Sequence, residues 1–245
     1  MTILPRSTLP VRRRYDRLAD VYDRRWAAYV EASVRETLRR TDLREGDAVL
    51  DVGCGTGTLL EVVAGRVPGA RLVGVDLSPA MLGVARRKLG DRGSLVAAEA
   101  GHLPFPDRRF DLVLSSSALH YWPDPAAGLA EIARVLEPGG RVTITDWCDD
   151  YLACRIVDFL LRILEPAHHR AYDTQACEGL LRGAGFSEIR VDRYKIDRLW
   201  GLMTATGIRG AAGCADREPH GQAGQPVRDP LLGHDRHDHE HEREG

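Results

Sequence analysis

The 245-residue sequence predicts an α/β protein, in which a mostly parallel sheet carries helices on both faces. Short apolar strands alternate with helical patterns between residues 48 and 146, as expected for strands joined by crossover helices. Three glycines at alternate positions, Gly53, Gly55 and Gly57, join the first strand to its helix. A last pair of strands is expected to form a C-terminal hairpin, which brings the sheet to seven strands.

Each element follows from its apolar spacing and from the glycine, proline and capping residues at its ends. Strands are expected at 48–52, 71–75, 93–97, 110–115, 141–146, 187–192 and 195–203. Helices are expected at 12–40, from 58, from 79, at 125–136, 152–164 and 174–184, with Pro138–Gly140 as a turn. Ser78 and Pro79 form a favourable helix start, and Gly185 is expected to end the last helix.

Three regions are expected: a disordered start with a helical lid at 1–40, a core domain at 41–206, and a disordered tail at 207–245. The tail has no aromatic residue, seven glycines and three prolines, and so cannot bury a core. Its clustered histidines, His234, His237, His239 and His241, could hold a metal loosely, but a solvated tail is the favoured interpretation.

Composition restricts the classes of function. The net charge of −2 gives no sign of a nucleic-acid partner. No apolar run has the length of a membrane span, and the N-terminus lacks the apolar core of a signal peptide. The five cysteines are odd in number and form no C-x-x-C pair, which favours reduced thiols, a cytoplasmic location and no metal site.

The glycine turn is the strongest functional signal. A strand, a glycine turn and a helix bind a nucleotide-like ligand at the carboxyl edge of a parallel sheet. The spacing is G-x-G-x-G rather than G-x-G-x-x-G, with Asp51 before it and no lysine. This favours a ligand with an ammonium group and a ribose over a pyrophosphate; the alternative is a turn that binds nothing. Asp76, which ends the second strand, is expected to accept hydrogen bonds from ribose hydroxyls or to be an ordinary helix-start carboxylate.

Five ordered motifs resemble those of class I S-adenosylmethionine (SAM)-dependent methyltransferases, in the small-molecule branch related to ubiquinone and menaquinone methyltransferases. The motifs are Val49–Gly57, Val73–Leu82, Glu99–Phe105, Phe110–Val113 and Leu136–Gly140. The resemblance covers about residues 15–206 and implies a Rossmann-like sheet, SAM as cofactor and transfer of its methyl group to a small-molecule acceptor.

The resemblance also implies roles for particular residues. Gly53 and Gly55 would lie against the methionine part of SAM with Asp51 near its amino group, while Asp76 would hold the ribose. Leu77 and Met81 would flank the adenine, and either Glu99, where the family usually has Asp, or the backbone of Ala100 would bind its amino group. Ser115 or Ser116 would line the transfer site, and Tyr15 and Tyr22 would close over the cofactor; packing in the core is their alternative.

Methyl transfer from a sulfonium is an in-line displacement that needs a base only when the acceptor loses a proton. His120, His168 and His169 are the candidates. For His120 the alternative is packing on Trp122, and for the other two it is a solvated loop.

Two other classes were compared with this interpretation. An NAD-dependent oxidoreductase is disfavoured by the glycine spacing and by the absence of a Tyr-x-x-x-Lys pair. A non-catalytic SAM-binding protein stays open, because a degenerate acceptor site would leave the cofactor motifs intact.

Overall fold

A computed structural model describes residues 8–165, 167–197 and 200–210. Its seven strands form one sheet in the order β3-β2-β1-β4-β5-β7-β6. The first five are parallel to one another, and β7 runs antiparallel between β5 and β6. The predicted α/β class and mostly parallel sheet are confirmed.

The strands and helices have the following bounds. The strands are β1 (Ala48–Val52), β2 (Arg71–Asp76), β3 (Gly93–Ala97), β4 (Phe110–Ser116), β5 (Leu136–Trp147), β6 (Phe186–Lys195) and β7 (Gly201–Arg209). The α-helices are α1 (Leu9–Leu18), α2 (Tyr22–Arg25), α3 (Ala27–Arg40), α4 (Thr58–Arg66), α5 (Pro79–Leu89), α6 (Pro125–Val135), α7 (Leu152–Leu164) and α8 (Thr174–Gly183).

Both faces of the sheet are covered, and β1 shows this most clearly because all five of its residues are buried. Leu50 belongs to an apolar cluster that includes Ile132 of α6 and Leu181 of α8. Its neighbour Val49 points to the opposite cluster, which includes Leu60 of α4. Alternation along a strand that is buried on both faces explains why the sequence of β1 is nearly continuously apolar.

The N-terminal region differs from the expectation in two ways. The first helix begins at Leu9, inside the stretch expected to be disordered, because Pro10 suits the first helical turn and Val11 is buried. The single helix expected at 12–40 is three helices, and neither glycine nor proline marks the breaks. An ion pair of 2.6 Å from Asp23 of α2 to Lys88 of α5 holds the middle piece against the core.

The expected turn at Pro138–Gly140 is instead an irregularity within β5. Leu136 pairs with Phe110 before the register shifts, and regular pairing resumes at Arg141 with Leu112. Leu136 is fully buried, and its pairing with Phe110 makes β5 begin five residues before the predicted start at residue 141.

The last strand lies at Gly201–Arg209 rather than 195–203, so the turn between β6 and β7 falls later. Polar Thr204 is buried there because its hydroxyl hydrogen-bonds Thr145 at 2.8 Å and Tyr194 at 2.7 Å. Such satisfied hydroxyls allow a polar run to form an inner strand, which apolar periodicity could not predict. The strand also takes in three residues of the expected tail; residues 1–7 and 211–245 lie outside the described residues.

The four described cysteines are buried, and each is in the thiol form. Within the described ranges, no helix is long and apolar enough to cross a membrane, and no His, Cys, Asp or Glu cluster is arranged to hold a metal ion.

Candidate active site

Two adjoining cavities open at the carboxyl edge of the sheet. The first encloses about 680 Å³ of empty space and is lined by the glycine turn, the ends of β2 and β4, and residues of α1 and α5. The second, here called the aromatic cavity, encloses about 780 Å³ and is lined mainly by aromatic side chains. Tyr15, Tyr22, Ser117 and Tyr121 line both cavities, so they form the boundary between them.

The glycine turn adopts a backbone that side chains disfavour. Gly53 and Gly55 have φ values of 81° and 52°, in the left-handed region. The turn is tied to the second strand, because the N–H groups of Gly53 and Cys54 donate to the carbonyl of Val75 at 2.8 and 2.9 Å. A Cβ built on Gly55 would meet no atom within 4 Å, so open space lies beside this backbone for a ligand.

Two carboxylates at the turn have raised pKa values: Asp51, which is buried, and Asp76, which is partly buried. Asp76 accepts hydrogen bonds of 2.8 Å from the N–H groups of Gly55 and Ser78, yet burial raises its pKa to about 6. Oδ1 of Asp51 is buried and has no hydrogen-bond partner among the described residues. Burial, with a further contribution from the Asp76 charge, raises the pKa of Asp51 to about 8. A cation placed here would relieve both carboxylates, whereas a pyrophosphate would be repelled.

The two predicted cofactor tyrosines lie on α1 and α2, the helices for which a role as a lid stays a prediction. The rings of Tyr15 and Tyr22 are 5.9 Å apart between centroids, and Tyr15 also meets Tyr121 edge-on at 5.3 Å. Asp16 of α1 accepts a 2.6 Å hydrogen bond from the hydroxyl of Ser78 at the start of α5. This hydrogen bond therefore ties α1 to the start of α5, the helix that follows Asp76 in the chain. Burial raises the pKa of both Tyr15 and Tyr22.

Most of the other predicted cofactor residues also line the first cavity, and three, Asp51, Glu99 and Ser115, do not. Leu77, Met81 and Ala100 line it with Gly53, Gly55 and Asp76. Asp51 lines a narrower cavity that shares Gly53, Gly55 and Tyr22 with the first.

Glu99 and Ser115 are not among the lining residues. Glu99 is half-buried, which raises its pKa, and Ser115 is fully buried with its hydroxyl donating to the carbonyl of Val52 at 2.8 Å. Ser116 and Ser117 line the cavity instead, and the roles of Glu99 and Ser115 stay predictions.

The aromatic cavity contains His120 together with seven aromatic side chains. These are Tyr15, Tyr22, Trp26, Tyr29, Tyr121, Trp147 and Trp200. The indole N–H of Trp147 donates to the Tyr29 hydroxyl at 2.9 Å, and that hydroxyl meets the Ser117 hydroxyl at 2.7 Å. This chain of bonds holds three polar atoms beside the aromatic cavity, and the last of them, on Ser117, lies at the boundary with the first cavity.

His120 has the geometry of a proton acceptor. Its Nδ1 lies 2.6 Å from Oδ1 of Asp146, and its buried Nε2 has no partner in the described part of the chain. The ring stacks on Trp147, with centroids 4.7 Å apart, and not on Trp122, which lines the first cavity. A carboxylate at Nδ1 selects the tautomer that leaves Nε2 free to accept a proton.

His168 lies behind His120, outside the lining of both cavities. Its Nε2 bonds Oδ1 of Asp158 at 2.8 Å, and its ring centroid lies 5.4 Å from that of His120. It lines neither cavity, and burial lowers its pKa, which favours the neutral ring. A catalytic role for His168 stays a prediction, and any such role would act through His120.

Asp146, Ser117 and Trp147 were missed by the sequence reasoning. Asp146 ends the predicted fifth strand, so the rule that places ligands at strand ends could have found it. Ser117 has φ of 58°, a strained value for a non-glycine residue that is not visible in the sequence.

Comparison with known proteins agrees with this geometry. Residues 50–144 match the family model described as a methyltransferase domain. A demethylmenaquinone methyltransferase of Clavibacter sepedonicus is 36% identical over 166 residues, which cover 59% of this chain and 67% of that protein. An aklanonic acid methyltransferase of Streptomyces sp. (strain C5) is 34% identical over 55% of this chain and 64% of its own length.

Solved structures resemble the same fold. A SAM-dependent methyltransferase from Thermotoga maritima superposes with a TM-score of 0.66 at 20% identity, covering 80% of this chain and 97% of that one. A Haemonchus contortus phosphoethanolamine N-methyltransferase 2, crystallised with SAM, superposes with a TM-score of 0.61 at 19% identity, covering 72% of this chain and 52% of that one.

The fold and the paired cavities thus define a methyltransferase-type α/β protein. The chain belongs to the class I SAM-dependent methyltransferases, whose cofactor is S-adenosylmethionine. It spans 56% of the length of a demethylmenaquinone methyltransferase of Symbiobacterium thermophilum, which is 40% identical over 141 residues and 54% of this chain. The site fits a cationic cofactor, because Asp51 presents an unpartnered buried oxygen and Gly55 leaves room that a Cβ would fill.

Proposed function

We propose that this chain binds SAM in the first cavity and transfers its methyl group to a small aromatic acceptor held in the aromatic cavity. The observation that carries the proposal is the shared wall: Tyr15, Tyr22, Ser117 and Tyr121 line both cavities. Ligands in adjoining cavities lie close enough for a direct transfer, and enzymes gain much of their rate from such positioning.

Asp51 and Asp76 are the residues proposed to hold SAM. The charge of Asp51 suits the amino group of the cofactor, and Asp76 retains acceptor capacity for the ribose hydroxyls beside its two backbone bonds. When bound, SAM supplies a methyl group activated by the sulfonium charge, which passes to the acceptor in one in-line displacement. The lid tyrosines exclude water from the reacting groups.

His120 is proposed to take the proton of the acceptor. Asp146 holds its Nδ1, and the free Nε2 lies on a ring that lines the aromatic cavity. A hydroxyl or carbon acid with a pKa not far above neutral is the acceptor that such a base serves best.

An aromatic acceptor follows from the walls of the cavity. The flat faces of Trp147, Trp200 and Tyr29 favour stacking with a planar ring system. Each buried aromatic pair contributes about 0.5–1.5 kcal/mol in addition to the contribution of its buried apolar area. Two relatives bear names that refer to such compounds, demethylmenaquinone and aklanonic acid, which supports the choice of planar phenols for a first screen.

The test is the formation of S-adenosylhomocysteine from SAM with a panel of naphthols, hydroquinones and hydroxyanthraquinones. His120→Gln should lower kcat by about 10²–10⁴-fold and leave the Kd for SAM unchanged, because His120 lines only the second cavity. His102→Gln is the matched control, since His102 is exposed outside both cavities. Equal activity of His120→Gln and the wild type would remove His120 from the mechanism.

A non-catalytic SAM-binding protein is separated from this proposal by the same experiment. Tight binding of SAM with no turnover of any planar phenol, and with no binding of those phenols, would favour that alternative. An unpartnered histidine nitrogen in the aromatic cavity favours the enzyme, because a binding module has no use for a free base there.

A further inference from the structure

We propose that the outer face of α7 docks on an anionic lipid surface. Six large apolar side chains of this helix are 47% to 74% exposed: Leu152, Ile156, Phe159, Leu160, Ile163 and Leu164. They are the whole set of strongly exposed large hydrophobic residues in the described part of the chain. Soluble surfaces rarely concentrate apolar side chains in this way, and a single contiguous stripe indicates an interaction face.

The helix has the form of an interfacial element. Its opposite side is committed to the protein, where Cys154 and Asp158 are buried and Val157 and Leu161 line the aromatic cavity. Its 13 residues correspond to about 20 Å, too short to cross a bilayer. A helix with one wide apolar face lies in the plane of the membrane interface and inserts that face by about 5–10 Å.

The charges beside the face select an anionic partner. Arg155 and Arg162 are exposed along one flank of α7; Arg162 is paired with the buried Asp158 at 2.7 Å, and Arg155 extends the positive flank. At the C-terminal end of the helix, a groove contains Arg13, Arg17 and Arg25, and the only acidic residue lining that groove, Glu165, is paired with Arg14. Each arginine close to an anionic membrane contributes about 1 kcal/mol, a factor of roughly five in affinity.

A second copy of the chain is the less suitable occupant. In an antiparallel symmetric contact through this face, the arginine flank of one copy would lie beside that of the other, which like charges oppose. A lipid surface instead offers hydrocarbon to the stripe and anionic headgroups to the arginines. Because α7 also forms a wall of the aromatic cavity, docking would hold that cavity against the lipid.

The test is cosedimentation of the full chain with vesicles of phosphatidylcholine alone or mixed with phosphatidylglycerol. The wild type should bind the mixed vesicles at least about fivefold more tightly than the neutral ones, and added salt should reduce this difference. Phe159→Asp with Ile163→Asp should lower binding to the mixed vesicles by about tenfold or more.

The matched control is Gln175→Asp with Gly179→Asp, which adds two carboxylates at the same i,i+4 spacing on exposed positions of α8. A Cβ at Gly179 meets no atom within 4 Å. This control should bind vesicles like the wild type, and both double variants should keep the wild-type Kd for SAM, which establishes that they are folded.

Three results would overturn the proposal: no binding of the wild type to mixed vesicles, equal binding to neutral and mixed vesicles, or equal binding by the α7 variant. Sedimentation velocity adds a fourth. A wild-type dimer that dissociates on the Phe159→Asp, Ile163→Asp change, without vesicle binding, would assign the face to a second copy.

Discussion

Asp51→Asn should make the free protein more stable and its cofactor binding weaker. The carboxyl is 1% exposed, and burial raises its pKa from 3.8 to about 8. A carboxyl with a raised pKa keeps a proton in the folded state that the unfolded chain has already released. Stability therefore falls as the pH rises from about 4 to about 8, and an amide removes that loss.

The size of the effect follows from the same pKa values. The full change in the pKa of Asp51 corresponds to an upper limit of about 6 kcal/mol of stability above pH 8. A gain of only ~1 kcal/mol already raises Tm by about 2–4 °C. The loss of a charge-assisted contact to the amino group of SAM should weaken binding by about 1.5–3 kcal/mol, or roughly 10- to 150-fold.

The assay combines thermal melts of the free protein with calorimetric titration of SAM. The wild-type Tm should fall between about pH 4 and about pH 8, while the Tm of Asp51→Asn changes less. Asp47→Asn is the control at the other end of β1: Asp47 pairs with Arg141 at 2.6 Å, so this change should destabilise by about 3 kcal/mol and spare SAM affinity. A less stable Asp51→Asn with unchanged SAM affinity would refute the reasoning.

Four further outcomes are expected. Binding of SAM near neutral pH should release close to one proton from Asp51, seen as a dependence of the calorimetric enthalpy on the buffer, and Asp51→Asn should abolish the release. Asp76→Ala should weaken the binding of SAM by about 1.5–3 kcal/mol. Unchanged SAM affinity in a folded variant would show that Asp76 does not hold the ribose hydroxyls. Gly55→Ala should lower SAM affinity, because the new methyl enters open space beside the turn and the φ of 52° disfavours a side chain. Asp146→Asn should reduce kcat by about 10²–10⁴-fold at unchanged SAM affinity, since an amide no longer selects the tautomer with a free Nε2.

The sequence alone determined the sheet and the place of the glycine turn at its carboxyl edge. Strands such as β1 and β4 are buried on both faces, so their apolar runs can be recognised without tertiary information. The glycine turn requires backbone angles that few residues other than glycine adopt, and the acidic residues around it follow at strand ends. Features of this kind depend on neighbouring residues in the chain, which is why the placement of Asp51 and Asp76 beside the glycine turn could be predicted, while their roles toward SAM stay predictions.

Tertiary structure decided the aromatic cavity and the ends of the chain's last strands. His120 becomes a plausible base only because β5 brings Asp146 to its Nδ1, although 26 residues separate the two in the sequence. Thr204 enters an inner strand only because Thr145 and Tyr194 satisfy its hydroxyl. Contacts between distant residues depend on packing and hydrogen-bond partners that no local pattern encodes, whereas strands, turns and caps depend on their immediate neighbours in the chain.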